Sequence, residues 1–257
     1  MTEPVLLVEH PSDALAIVTL NRPDRRNALS VELLEALCQT FAALADEPTR
    51  RAVILRGAGP VFCAGLDLAE ADDVDAVRKS AGRTAALFML LMTSPLVTVA
   101  AVQGGAYAGG GGLMAACDFA VTTEDARFAF PEVRRGLIPA LISVVLRDRL
   151  RDSDLRELFL LAEPVDARRA QAIGLVNRVV PRDRLLEEAQ ALVATVLLGG
   201  PVAVQNTKAL LRPSQGADVK RDLGWALAAH EGARTGDEAR EGIAAFREHR
   251  PPSWQNA

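Results

Sequence analysis

The chain has 257 residues, 49% of them hydrophobic and 24% charged, with a net charge of −4. This is ordinary globular composition, enough for one large domain or a domain with an appendage. Basic residues are scattered in a slightly acidic chain, which excludes the electrostatic footprint of a nucleic-acid binder. Cys38, Cys63 and Cys117 are far apart and odd in number, so they form no disulfide framework. No basic segment followed by an apolar run opens the sequence, and apolar stretches such as 85–92 are too short to span a bilayer. A reduced cytoplasmic protein, away from membranes, is the expectation.

Residues 5–9 and 14–20 read as strands joined through a turn at Pro11-Ser12-Asp13. Ser30 suits the N-cap of a helix over 31–45, whose apolar face is Leu34, Leu37, Cys38, Phe41 and Ala45. The continuous apolar run 52–55 is the mark of a strand buried on both faces, and Gly57-Ala58-Gly59-Pro60 breaks it. A helix follows over 73–92, ended by Thr93-Ser94-Pro95, and then a mainly apolar strand over 97–102. A glycine cluster opens a short helix before a strand at 119–122. Alternating strands and helices argue for an α/β domain with mostly parallel pairing.

After a strand at 176–180 the pattern turns helical, over 182–198, 202–211, 218–234 and 237–249. Leu185, Ala189, Leu192, Val193 and Val196 form one apolar stripe; Leu223, Ala226, Leu227 and His230 form another. Helices grouped in this way often pack on a partner subunit.

Two glycine-bearing stretches belong together: Phe62-Cys63-Ala64-Gly65-Leu66-Asp67, and 104–118, which reads GGAYAGGGGLMAACD. Each puts glycine where a buried strand hands over to a helix, so a ligand can approach the backbone. The first amides of the helix lack intrahelical acceptors and carry the positive end of its dipole. Two such loops side by side would aim two N–H groups at one oxygen, an oxyanion hole. Close helix–strand packing alone would also call for glycine. Dinucleotide and P-loop motifs are absent, as is the G-x-S-x-G of a serine hydrolase.

Glu132, beside Phe128 and Phe130, is a candidate acid/base with a raised pKa, although Pro131-Glu132 is also an ordinary helix start. His10, His230 and His249 show no metal-ligand spacing, and His230 on an apolar face reads as a core or interface residue. Arg25 and Arg26 could hold phosphates or simply be solvated.

Six strings in order resemble the crotonase superfamily, the enoyl-CoA hydratase/isomerase family: VTLNRPDRRNAL, AVILRGAGPVFCAGLDL, VAAVQGGAYAGGGGLMAACD, ARFAFPEVRRGLIP, ARRAQAIGLVNRVVP and EGIAAFREHRPP. The resemblance runs from about Val5 to the C-terminus. It implies an α/β fold, a crotonase-like ββα spiral over 1–195 with a C-terminal helical trimerisation region over 196–257, assembled as a homotrimer or hexamer. It implies acyl-CoA thioester substrates, coenzyme A being part of the substrate and no separate cofactor or metal being needed. The enolate-stabilising amides fall on Leu66 and Gly109, and the adenine-side backbone on Ala64. Arg25 and Arg26 fall along the nucleotide, with Ala28, Asp67, Leu68 and Gly112 among the substrate-binding positions. The acyl side falls on residues 71–91 and 140–146.

Two departures stand out. Relatives often have Lys two residues beyond Asp67, where this chain has Ala69. A hydratase of the family typically uses two glutamates twenty residues apart; the second matches Glu132, but the first falls on Gly112. The resemblance therefore implies an enoyl-CoA hydratase-like enzyme first. The PEVRRGLIPALIS run, with Gly112, is similar to that of bacterial hydratases of branched acyl-CoAs. The alternatives are a 3-enoyl-CoA to 2-enoyl-CoA isomerase working with Glu132 alone and a non-catalytic acyl-CoA-binding paralogue. Tyr107, close to the glycine loop, is the candidate for a group that replaces the missing carboxylate.

Overall fold

Two antiparallel strands, β1 (Leu6–Ser12) and β2 (Leu15–Leu20), open the chain in the computed structural model, which describes residues 3–70, 73–211 and 216–255. The turn lies at Asp13-Ala14, later than expected, because β1 runs on through Pro11. An edge strand tolerates proline, and the pairing is already irregular between Glu9 and Ser12. Helix α1 (Val31–Asp46) starts where Ser30 accepts a hydrogen bond from the Leu33 amide, and it buries Leu33, Leu34, Leu37, Phe41 and Leu44. After β3 (Ala52–Gly57), helix α2 (Val74–Thr93) is capped by the Asp73 carboxylate. Then come β4 (Val97–Val102), β5 (Gly105–Tyr107), α3 (Gly109–Ala116), β6 (Phe119–Thr123) and β7 (Arg127–Ala129). Helices α4 (Ala140–Leu146) and α5 (Asp152–Arg156), strand β8 (Val165–Asp166), α6 (Ala167–Ala172) and β9 (Arg178–Val180) follow. The chain ends in α7 (Leu185–Leu197), α8 (Pro201–Leu210), α9 (Gly216–Arg234) and α10 (Asp237–Arg247).

The main sheet has the order β1-β2-β3-β4-β6-β9, parallel from β2 onward. Side chains alternate across a strand, so each central strand feeds two cores. Ala16, Val18, Leu20, Val53, Leu55, Ala100 and Val102 join the core beneath α1 to α4. Leu15, Ile17, Ala52, Ile54, Val99, Ala101 and Val121 face the opposite way and meet Leu185, Ala189, Leu192 and Val193 of α7. Both faces are covered, which explains the apolar runs at 52–55 and 99–102; Thr98, just before the second, is buried with its hydroxyl on Asp118.

This arrangement corrects the reading of the C-terminal stripes. The α7 stripe packs on the chain's own sheet, and position 195 falls within that helix. Leu223 and Ala226 of α9 are buried in the other core, where α9 lies against α2 and α4. The apolar side chains left open on α7 to α9 and their connections include Leu198, Val202, Leu210, Leu211 and Trp225.

A second sheet, β5-β7-β8, was not expected from the sequence. Its strands have two or three residues each, too short to show a period. β5 and β7 run parallel with Gly105 opposite Arg127, Ala106 opposite Phe128 and Tyr107 opposite Ala129.

Candidate active site

The loop after β3 is laced to the loop after β2 by a buried asparagine. Asn27 Nδ2 donates to the carbonyls of Ala58 and Val61, both at 2.9 Å, while its Oδ1 accepts from the Arg22 amide at 2.9 Å. Arg26 and Asn27 both adopt left-handed backbone, φ 52° and 54°, to make that turn. Gln103 Nε2 donates to Gly57 O at 2.6 Å and Gly59 O at 3.1 Å, and Arg22 pairs with Asp67 at 2.9 Å. These anchors hold 62–67 against the start of α1.

Leu29 donates its N–H to Gly65 O at 2.7 Å, and Asp67 donates to Leu29 O at 3.3 Å. In such a parallel bridge the middle residue, Leu66, turns its own N–H to the other side. Gly109 lies there: a Cβ on it would stand 3.8 Å from the Leu66 nitrogen. As the first residue of α3, Gly109 has no intrahelical acceptor, and the helix's bonding begins with Gly112 N–H to Ala108 O at 3.2 Å. Neither amide meets an acceptor among the described residues.

The approach of the two loops depends on glycine at 65. Its φ is +92°, and a Cβ would lie 2.8 Å from Tyr107 O and 3.2 Å from Gly109 N. Ala108, just before Gly109, carries strained backbone at φ 49°, ψ −125°, and its N–H donates to Ala129 O at 2.8 Å. β7 then leads through Phe130 and Pro131 to a 3-10 turn, Glu132–Arg135. Pro131 is the cap of that turn rather than its first residue.

Glu132 is only 8% exposed, and its Oε2 has no hydrogen-bond partner. Burial pushes its carboxyl up to about 7, opposed by its own backbone amide and the Arg135 guanidinium. The turn is clamped by α10: a Cβ on Gly136 would strike the backbone of Glu238, and one on Gly242 the backbone of Arg135.

These groups border one cavity of about 430 Å³. Of the expected positions, Arg26, Ala28, Ala64, Leu66, Leu68, Gly109 and Glu132 line it, as does Tyr107. The Arg26 guanidinium sits 5.5 Å from the centre of the Tyr107 ring. The expected acyl side contributes Ala81, Thr84, Ala140, Leu141 and Ile142; Ala71 and Asp72 of that stretch lie outside the described residues.

Three expected positions stand apart from the cavity lining. Arg25 is exposed, and Asp67 is engaged with Arg22. Gly112 is buried within α3, where a Cβ would come 2.6 Å from Phe88 Cζ and 3.2 Å from Ile142 Cγ1. The place of a side chain at 112 is taken by the Phe88 ring.

Sequence reasoning passed over Arg135, Arg234 and Phe246, and read His230 as a core or interface residue. All four line the cavity, three of them from the last two helices. His230 is indeed buried, with Nε2 unpartnered; burial and then the Arg234 charge hold its pKa down at about 4, against a hydrogen bond to the Ile138 backbone. Cys63, beside the loop, is no nucleophile. Its thiol donates to Asn27 O at 3.1 Å, and burial pushes it up to about 12.

Two unpaired amides, one in a bridged loop and one at a helix start, beside a cavity with one buried carboxyl, suit a reaction in which negative charge builds on a carbonyl oxygen while a proton moves nearby. Among the described residues no helix is long and apolar enough to cross a membrane.

The profile of the enoyl-CoA hydratase/isomerase family matches residues 10–257. A Thermus thermophilus protein with a provisional enoyl-CoA hydratase name is 39% identical over 96% of this chain and 100% of its own length. The crystal structure of an enoyl-CoA hydratase from Mycobacterium avium superposes with a TM-score of 0.88 at 34% identity, covering 98% of this chain and 100% of that one. A carnitinyl-CoA hydratase from the same organism gives a TM-score of 0.89 at 30% identity over the whole of both chains. With its fold, its paired glycine loops and these relatives in agreement, the chain belongs to the enoyl-CoA hydratase/isomerase family of the crotonase superfamily, a family of enzymes.

Proposed function

We propose that this enzyme hydrates 2-enoyl-CoA thioesters through an enolate whose oxygen is held by the Leu66 and Gly109 amides, with Glu132 moving the proton. The observation that carries the proposal is Glu132 itself. A carboxyl with an ordinary value of 4.5 is pushed up to about 7, its buried Oε2 has no hydrogen-bond partner, and the residue lines the cavity that the two amides border. A group titrating near neutrality is suited to both giving and taking a proton. The substrate class follows the relatives' names and the resemblance of the two loops. Arg26, Ala28, Ala64 and Leu68 then lie along the CoA moiety. The exposed Leu198, Leu210, Leu211 and Trp225 suit burial between copies of the chain, in a homotrimer or hexamer.

One observation favours the isomerase reading. With Phe88 over Gly112, Glu132 is the lone carboxyl among the described residues lining the cavity, and one carboxylate suffices to carry a proton from the α- to the γ-carbon. A panel of straight and branched 2-enoyl- and 3-enoyl-CoAs, assayed separately for water addition and for double-bond migration, divides the two readings. Hydration without migration supports the first, and migration alone supports the second. Tight binding without turnover of any member would leave an acyl-CoA-binding protein.

A further inference from the structure

The cavity carries more positive charge than proton transfer at Glu132 requires. Arg135 and Arg234 both line it and both are half-buried. Burial pushes both guanidiniums below their usual range; Arg135 has Glu132 as a partial counter-charge, and Arg234 has no such offset. Neither makes an ion pair among the described residues, whereas the more exposed Arg169, Arg182 and Arg250 each hold a carboxylate. The Arg135 guanidinium carbon lies 4.3 Å from the centre of the Phe246 ring, a contact that holds the cation without supplying an acceptor for its N–H groups. Arg234 is one helical turn from His230, whose sealed Nε2 also lacks a partner. Burying such charge without a counter-charge is unfavourable, and an anion in the cavity would relieve it. Glu132 does not repel that anion strongly, since burial keeps it largely protonated below about pH 7.

We propose that the acyl group ends in a carboxylate held by Arg135 and Arg234, so that the substrate is the CoA monothioester of a dicarboxylic acid. This rests on the acyl-CoA reading above. The other anions such a ligand brings are CoA's own phosphates, and the experiment separates the two sources. Calorimetry on the intact enzyme compares saturated pairs of equal chain length, glutaryl-CoA with pentanoyl-CoA and adipyl-CoA with hexanoyl-CoA, which bind without turning over.

At least one carboxylated member should bind about tenfold or more tighter than its neutral counterpart, the scale of a hydrogen bond to a charged group. Arg234→Gln should bring that ratio to within about threefold of unity, and Arg234→Lys should retain part of the preference. Equal affinities within every pair in the unaltered enzyme would overturn the carboxylate site and leave the acyl-CoA reading standing. An equal loss for both members in Arg234→Gln would overturn it too, by assigning the guanidinium to CoA. Failure of every acyl-CoA to bind would remove the acyl-CoA reading, and this inference with it.

Discussion

The side of the cavity that carries Leu66 and Gly109 is made of backbone, and the side that carries Glu132, Arg135, His230 and Arg234 is made of side chains. The first is fixed by main-chain conformation, through a glycine with φ +92°, a strained alanine and the short bridge from Leu29 to Leu66. The second is drawn from segments a hundred residues apart and is held by the packing of α9 and α10. The first depends on shape and the second on burial. An amide donor acts at any pH, whereas the carboxyl and the imidazole owe their protonation states to being shut away from water.

Removing the side-chain chemistry alone should have the largest effect. Glu132→Gln keeps volume and leaves the amides untouched, so turnover should fall by about 10²–10⁴ while acyl-CoA affinity stays within a few fold. Steady-state kinetics beside calorimetry checks it, and full activity would return Glu132 to the role of a turn-starting residue. Disturbing the backbone side should come next. Gly65→Ala forces a Cβ towards Tyr107 O and strains a positive φ, moving the two amides apart. Turnover should drop on the order of 100-fold, comparable with the loss of one oxyanion donor, with Glu132 still in place. If Gly65→Ala were as active as the parent enzyme, the paired amides would have no part in the reaction.

The third prediction uses burial as the handle. The folded state holds a proton on Glu132 up to about 7, against an ordinary value of 4.5. Between those values the folded chain binds more proton than the unfolded one, so this group lowers stability as pH rises through that window. Glu132→Gln cannot ionise. Relative to the parent it should gain stability between pH 4.5 and 7, by at most roughly 3 kcal/mol from a shift of this size. Urea titrations at pH 5 and pH 8 read the difference directly, and a constant difference would mean that the carboxyl is not buried in solution.

The smallest effect is expected at Gly112, which belongs to neither side. Gly112→Ala presses on Phe88 and Ile142 and should lower stability by about 1–3 kcal/mol through overpacking. Gly112→Glu should bring a carboxylate to the cavity only when Phe88→Ala opens the space. Thermal denaturation of the single variants and hydration assays of the double variant test this. An unaltered melting temperature in Gly112→Ala would show that Phe88 yields freely.

The same division explains what the sequence made legible. The central strands were visible because mainly apolar stretches such as Val97–Val102 are bounded by Pro95 and Gly104. The amide side was visible because glycine is concentrated there, at 65, where φ is +92°, and in the run 109–112 that opens α3. Glu132 was conspicuous for its phenylalanine neighbours, but its unpartnered Oε2 depends on contacts from elsewhere in the fold. Arg135, Arg234 and Phe246 gave no local signal at all. A charged residue on a helix ordinarily reads as solvated, and only the docking of α10 onto the 132–135 turn reveals which of these residues face inward. The strands of the small sheet were missed because three residues do not display a period. The helical stripes were seen correctly but matched to the wrong surface, since amphipathicity says that a face is buried and not against what.

The small sheet has a further implication. β5 ends two residues before Gly109, β7 ends three residues before Glu132, and Tyr107 and Ala129 are paired across the ladder. The strands therefore act as the arms of a calliper whose opening, from amide to carboxyl, is set by main-chain register rather than by any side chain. Exchanging the side chain at 132 changes the jaw without changing the gap. Adding or deleting one residue between Thr123 and Arg127 would slide one arm past the other and misplace the carboxyl, even with every residue that lines the cavity intact. New chemistry can thus be tried on this frame one side chain at a time, whereas the lengths of its connecting turns are the part it cannot vary.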